Sequence, residues 1–197
     1  MQNQATTARR TSARERLLAA ADELFYEHGI NLVGIDRVIE HAGVAKASLY
    51  DCFGSKEELV RAYLKGRADK RQARINERIA GLPTPQEKIL GVFDALADVV
   101  NRTNYRGCAF QRASAEAGMS SIIKETCDEP RTWLRSLLTE LAQQAKAADP
   151  ELLARQLAFL YDGASLAASI DGDRNAPISA RAVAEQMLPR AKRQMSK

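Results

Sequence analysis

Apolar residues recur at helical spacing along most of the chain, and turn signals cut that recurrence into segments. Leu17, Leu18, Ala21, Leu24, Phe25 and His28 form a stripe of 3.6-residue period. Ser12 followed by Glu15 reads as a capping box ahead of it and Gly29 as its stop, so a first helix is expected over Ser12 to His28. Ile35, Val38, Ile39 and Ala42 repeat at i, i+3, i+4 and i+7 on a second, short helix that Gly43 closes. Val44, Leu49 and Phe53 can face inward from the next segment, leaving Lys46, Ala47, Tyr50 and Asp51 on its other side. Two short helices joined by a glycine turn are the pattern of a helix-turn-helix, whose second helix can enter a DNA major groove. A small helical protein without a nucleic-acid partner can contain such a pair too.

Ser55 with Glu58 makes a second capping box and starts a long helix to about Ala80, marked by Leu59, Tyr63, Leu64, Ile75 and Ile79. Lys56 lies in its first turn, where a cation opposes the helix dipole. That misfit either marks a phosphate held at the helix start or is a plain surface lysine. Gly81-Leu82-Pro83-Thr84-Pro85 reads as a domain boundary. Thr84, Pro85 and Glu87 then open a helix through Ile89, Leu90, Phe93, Leu96, Ala97 and Val100. Tyr105-Arg106-Gly107 interrupts, and a short helix is expected from Cys108 to about Ala117, before Gly118. Ile122 to Ala148 is the next helical region, with Trp133, Leu134, Leu137, Leu138 and Leu141 on its face; Pro130 should kink it or delay its start. Asp149-Pro150 caps a helix carrying Leu153, Leu157, Leu160, Ala164 and Ala167, and Pro177 precedes a last helix with Ala182, Val183, Met187 and Leu188. Internal repeats and convincing strands are absent, so the fold class is all-α.

Composition narrows this further. Of 197 residues, 45% are hydrophobic and 27% charged, with a net charge of +4. The first 80 residues hold 14 basic groups against 11 acidic, and the remainder 15 against 14, so most of the excess lies in the N-terminal part. Arg9 and Arg10 sit in a polar arm, residues 1–11, that can lie along phosphates or in a minor groove, or simply be a solvated tail. No apolar run spans a bilayer, and the N-terminus lacks the apolar core of a signal peptide, which predicts a cytoplasmic protein. Cys52, Cys108 and Cys127 are widely spaced and accompanied by two His, which makes neither a disulfide framework nor a zinc pattern. A nucleophile–base pair, a phosphate-cradling loop and metal spacing are all missing, so no enzyme, metal or cofactor is expected.

The segment from Arg14 to Leu64 resembles the TetR family of bacterial one-component regulators. The likeness runs through the first-helix stripe, Ala42-Gly43-Val44, Leu49-Tyr50, Phe53 and Ser55-Lys56-Glu57-Glu58-Leu59 at fixed spacing. Beyond it the chain resembles the family in helical layout, and Arg106-Gly107-Cys108-Ala109-Phe110 looks like a segment shared by one branch. The resemblance implies an N-terminal three-helix DNA-binding unit with helix-turn-helix (residues 1–58, with the basic arm). A connecting helix (59–80) and a C-terminal helical ligand-binding and dimerisation domain (81–197) would follow. It implies a homodimer on a palindromic double-stranded DNA operator, acting as a repressor that a small-molecule inducer of unknown identity releases, with no cofactor and no membrane.

Residue roles follow from the same resemblance. Lys46, Ala47, Ser48, Tyr50 and Asp51 would be the exposed face of the recognition helix, with Tyr50 and Lys56 on phosphates. Gly34 stands where the family usually has a capping Thr that touches phosphate, Ala45 replaces a usual Ser, and Cys52 a commonly bulky or basic residue. Gly34 therefore offers only its backbone. Asp51 is repelled by phosphates unless it accepts from cytosine N4. The ligand would lie among helices between Pro85 and Ala148, against Phe93, Leu96, Val100, Phe110 and Trp133, with Asp94, Asp98, Gln111 and Glu116 as polar anchors. The helical stripes need the apolar members whether or not a ligand binds. The helices at about Pro150–Asp171 and Pro177–Lys192 would form the dimer surface. A redox-responsive regulator acting through Cys52 or Cys108 is the alternative, against which each is a small buried residue.

Overall fold

The computed structural model describes residues 11–116 and 120–189. Among these the chain forms nine helices and no strand: α1 (Ala13–His28), α2 (Ile35–Ala42), α3 (Lys46–Phe53), α4 (Lys56–Ala80), α5 (Pro85–Val100), α6 (Ala109–Ala115), α7 (Ser121–Gln144), α8 (Pro150–Ile170) and α9 (Ala176–Met187). The basic arm with Arg9 and Arg10, and the end of the last expected helix, lie outside the described residues. The chain divides into two compact units, Met1–Tyr63 and Leu64–Lys197, with the division inside α4.

In the first unit the predicted box at Ser12 forms in full, whereas at Ser55 only half of one does, the hydroxyl accepting from the Glu58 amide at 3.1 Å while the Glu58 carboxylate takes Arg61. Ser12 Oγ accepts from the Glu15 amide at 3.2 Å, and the Glu15 carboxylate accepts from the Ser12 amide at 2.8 Å. Those bonds, the backbone one foremost, hold the Glu15 carboxyl below its ordinary value of 4.5. Leu17, Ala21, Leu24 and Phe25 of α1 are buried with Val33, Val38, Leu49, Leu59 and Tyr63. Phe25 and Tyr63 meet edge-on with ring centres 5.6 Å apart. The corner between α2 and α3 is a Schellman ending. Gly43 takes the left-handed conformation at φ 61°, its amide bonds the Glu40 carbonyl at 3.1 Å, and the Val44 amide bonds the Ile39 carbonyl at 3.3 Å.

In the second unit, Thr84 and Glu87 close a reciprocal box at the start of α5. Gly91 in α5 is buried where a Cβ would stand 2.7 Å from Leu82 Cδ1 and 3.2 Å from Ile79 Cγ2, so a glycine lets α5 close on the end of α4. One core joins Ile75, Ile79, Ile89, Phe93 and Leu96 to Leu134, Leu138, Leu157 and Tyr161, with α9 contributing Ala180 and Ala184. Pro130 does not delay the start of the helix. Ser120 accepts from the Ile123 amide and starts α7, which then runs 24 residues through a buried Pro130. The proline removes one hydrogen bond from a long ladder that core packing sustains on both sides. The helix also stops earlier than Ala148. Lys146 adopts φ 59°, its amide bonds the Gln143 carbonyl at 2.9 Å, and the Ala147 amide bonds the Ala142 carbonyl at 3.0 Å. This is a second Schellman ending, with lysine where glycine usually gives the signal.

Candidate nucleic-acid interface

The helix-turn-helix is built so that α3 keeps one face for packing and frees the other. Leu49 and Phe53 are buried, Ser48 is half-buried, and Lys46, Ala47, Tyr50 and Asp51 are exposed. Tyr50 is 46% exposed, unusual for an aromatic side chain in a unit with so compact a core. Neither α2 nor α3 has a side-chain N-cap: Gly34 and Ala45 hold those positions with extended backbone. No side chain therefore satisfies the first-turn amides of either helix, although the Ser48 amide bonds the Ala45 carbonyl at 3.0 Å.

Lys46 Nζ donates to Asp36 Oδ1 at 2.9 Å, bridging the first turns of α3 and α2. The hydrogen bond to Asp36 and then its charge raise the lysine's pKa above its ordinary value. Both partners are well exposed, so the pair orients Lys46 more than it stabilises the fold. Lys56 is half-buried and donates to the Ile30 carbonyl at 2.8 Å, tying the start of α4 to the loop before α2.

Three side chains brace this face without a recognisable signal in the sequence. Arg16 of α1 donates through Nη1 to the carbonyls of Gly43 at 3.0 Å and Ala42 at 3.4 Å, at the corner itself. The Arg14 guanidinium lies 5.1 Å from the centre of the Phe53 ring. Arg37 donates to His28 Nε2 at 2.9 Å, which gives His28 a structural partner.

The ligand candidates of the second unit occupy different settings. Phe93, Leu96 and Val100 lie in the core, at 0%, 3% and 0% exposure. Asp94 is ion-paired to Arg181 at 2.9 Å and Arg78 at 3.6 Å, and Asp98 approaches Arg78 at 3.9 Å. Phe110 is buried beneath the Arg71 guanidinium, 6.0 Å from its ring centre. Gln111 and Trp133 are half-buried, the latter packed on the core, and Glu116 ends α6. Cys52 and Cys108 are half-buried; Cys127 is buried, and burial pushes its thiol pKa up, away from the reactive thiolate. Among the described residues no metal-binding cluster occurs, and no helix is long and apolar enough to cross a membrane.

The arrangement is that of a helix-turn-helix DNA-binding protein, and comparison with known proteins agrees. Residues 17–63 match the family described as bacterial regulatory proteins, tetR family. A putative TetR transcriptional regulator from Streptomyces avermitilis, sav143, is 31% identical; the superposition covers 89% of this chain and 99% of that one at a TM-score of 0.78. SCO4454, a TetR-family transcriptional regulator from Streptomyces coelicolor, is 28% identical over 89% of this chain and 95% of its own, at a TM-score of 0.81. The transcriptional repressor KstR2 of Mycobacterium tuberculosis is 27% identical over 127 residues, and the match spans 62% of this chain and 64% of that repressor's length. The chain belongs to the TetR family of transcriptional regulators, which are DNA-binding proteins and not enzymes.

Proposed function

We propose that this regulator is a repressor that binds a palindromic double-stranded operator as a homodimer and leaves it when a small molecule binds the second unit. The observation that carries the reading is the outward face of α3, where Lys46, Ala47, Tyr50 and Asp51 are exposed while Leu49 and Phe53 anchor the helix. Lys46 and Tyr50 supply donors for phosphates or base edges, and Asp51 supplies an acceptor for cytosine N4. Ser48 and Ala47 allow close approach. The uncapped start of α2 at Gly34 presents backbone amides, and Lys56, whose ammonium donates to the Ile30 carbonyl, places a cation at the start of α4. In this reading residues 1–58 bind DNA, 59–80 connect, and 81–197 hold the ligand and the partner chain.

The dimer surface is supported by apolar side chains left outside the core. Leu152, Phe159 and Leu166 stand seven residues apart on α8 and are exposed, with Ile170 beyond them and Ile178 and Val183 on α9. Such a row is the seam of a helix that packs on both sides. Inducer action requires the ligand to prefer the state whose recognition helices do not fit the operator. In this reading Phe110, Gln111 and Trp133 line the ligand site, while Phe93, Leu96 and Val100 bound it from the core and Asp94 reaches it from its ion pair with Arg181.

The test is retention of duplex DNA by the purified protein. Replacing Lys46 by Ala together with Tyr50 by Phe should abolish retention of an enriched duplex while leaving the helical circular-dichroism spectrum intact. Undiminished retention would reject α3 as the reading element.

A further inference from the structure

Arg71, midway along α4, is 7% exposed, and its Nε and Nη2 are buried with no hydrogen-bond partner. Two ring faces approach its guanidinium, Tyr161 at 4.9 Å and Phe110 at 6.0 Å. They offset only part of the cost of a buried, unpaired cation, because a ring face cannot accept the in-plane N–H groups as an oxyanion does. Arg74, one turn further along, repeats the theme: its Nε is also buried without a partner.

Arg71 lines a cleft of about 390 Å³ formed by α4, α7 and α8. Arg131, Arg135 and Arg155 line the same cleft against two acids, Asp128 and Asp162. Asp162 is already bound to Arg131 at 3.2 Å. The cleft therefore carries a surplus of positive charge, with donors inside it that none of the described residues satisfies. Its remaining wall is Thr132 with the apolar Leu134, Ala158 and Phe159, the last shared with the exposed row of α8. None of these groups takes part in the α3 face.

We propose that this cleft binds a small organic anion, its carboxylate or phosphate-monoester head held by Arg71 and its apolar body lying along Leu134 and Ala158. The proposal names the chemical class of the effector and rests on the reading of the second unit as the effector-binding part. Arg71 gives the fork that an oxyanion matches in two parallel hydrogen bonds, and the surrounding arginines favour entry of negative charge. The cleft volume admits a ligand of one or two rings or a short acyl chain, in keeping with small-molecule pockets of about 300–1,000 Å³.

The test uses the full chain and follows fluorescence of Trp133, the single tryptophan, which neighbours Leu134 on α7. Calorimetry supplies the affinities. The probes are 4-phenylbutyrate, its neutral amide, 2-phenylethyl phosphate and inorganic phosphate. Saturable binding of 4-phenylbutyrate or 2-phenylethyl phosphate is expected, at least about tenfold tighter than the amide, and whichever binds tighter fixes the head group. Arg71→Gln should weaken the anion by about tenfold or more and leave the amide unchanged, the loss expected of a charge-assisted bond. Arg71→Met guards against a folding artefact. Because it removes an unpaired buried charge, it should melt no lower than the parent chain.

Four results would overturn the proposal: an amide that binds as well as its acid, anion binding indifferent to Arg71→Gln, inorganic phosphate binding as tightly as the organic anions, or no saturable binding of either organic anion. The repressor reading fails separately. Anions that bind through Arg71 yet never release DNA would keep the site and remove the inducer role. A neutral molecule that releases DNA while both anions fail to bind would do the reverse.

Discussion

Replacing Arg16 by Met isolates the brace that sets the angle between α2 and α3. Methionine keeps an unbranched stem along α1 and removes the guanidinium that donates to Gly43 and Ala42 at 3.0 and 3.4 Å. A hydrogen bond from a charged donor contributes about 1.5–3 kcal/mol when well formed, and solvent at Gly43 together with the long second bond reduces this to about 1 kcal/mol. The cation also sits at the C-terminus of α2, which adds about 0.3–1 kcal/mol. The sum, about 1–2 kcal/mol, corresponds to a 5- to 30-fold larger open fraction of the corner. Amide hydrogen exchange at Gly43 and Val44 reads that fraction directly, and both should exchange faster by this factor in Arg16→Met. Operator affinity should fall alike on every sequence, because the helix is mispositioned and no base contact is lost. Arg14→Met, which removes only the cover over Phe53, should leave the corner amides unchanged. Unchanged exchange in Arg16→Met, or equal changes in both variants, would refute the bracing argument.

Three further outcomes follow from particular contacts. Lys146→Gly should stabilise the chain by about 0.5–1 kcal/mol in thermal melts, because the left-handed φ of 59° strains a lysine but not a glycine. A carbon-detected NMR titration should place the Glu15 carboxyl below 4.5, and Ser12→Ala should raise it only part of the way back, because the residue-12 amide keeps its bond to the carboxylate. Since the folded value is the depressed one, the cap's contribution is present above pH 4.5 and is lost as pH falls through the folded value, so acid should fray the start of α1, and less so in Ser12→Ala, where only the backbone bond to Glu15 remains to be lost. Phe159→Asp should turn the dimer into a monomer in sedimentation. The side chain is 64% exposed on one chain, and a two-fold interface counts its burial twice, about 2–4 kcal/mol in all or roughly 30- to 1,000-fold in affinity.

The helices were legible wherever the sequence carried its own punctuation. Ser12 with Glu15, Thr84 with Glu87 and Asp149 with Pro150 each fix a start, and Gly29 and Gly43 each fix an end. Legibility failed where tertiary packing overrode a local signal. Pro130 reads as a kink or a delayed start, yet α7 begins at Ser121 and the core on either side carries it through the proline. Lys146 does the work of a glycine and so hides the end of the same helix. In α8 the inward row of Leu153 and Leu157 and the outward row of Leu152, Phe159 and Leu166 are alike in composition, so only the packed helix separates them. At the site, the outward face of α3 followed from periodicity, because eight residues with two anchors leave few alternatives. The partners of that face did not. Arg16, Asp36 and Ile30 meet Gly43, Lys46 and Lys56 only after the helices have packed. The same holds for Arg71, a lysine-and-arginine-rich surface helix residue by pattern and a buried, unpaired cation in the fold.

The central claim is that α3, presented twice by a homodimer, reads a defined DNA sequence. Selection of bound duplexes from a random pool tests it most directly. The account predicts enrichment of a palindrome whose half-site centres lie about one helical turn, roughly 10–10.5 base pairs, or a multiple of it apart, with the enrichment lost when Lys46 and Tyr50 are both replaced by Ala. A pool that fails to enrich, an enriched site without two-fold symmetry, or the same palindrome from the doubly substituted chain would contradict it.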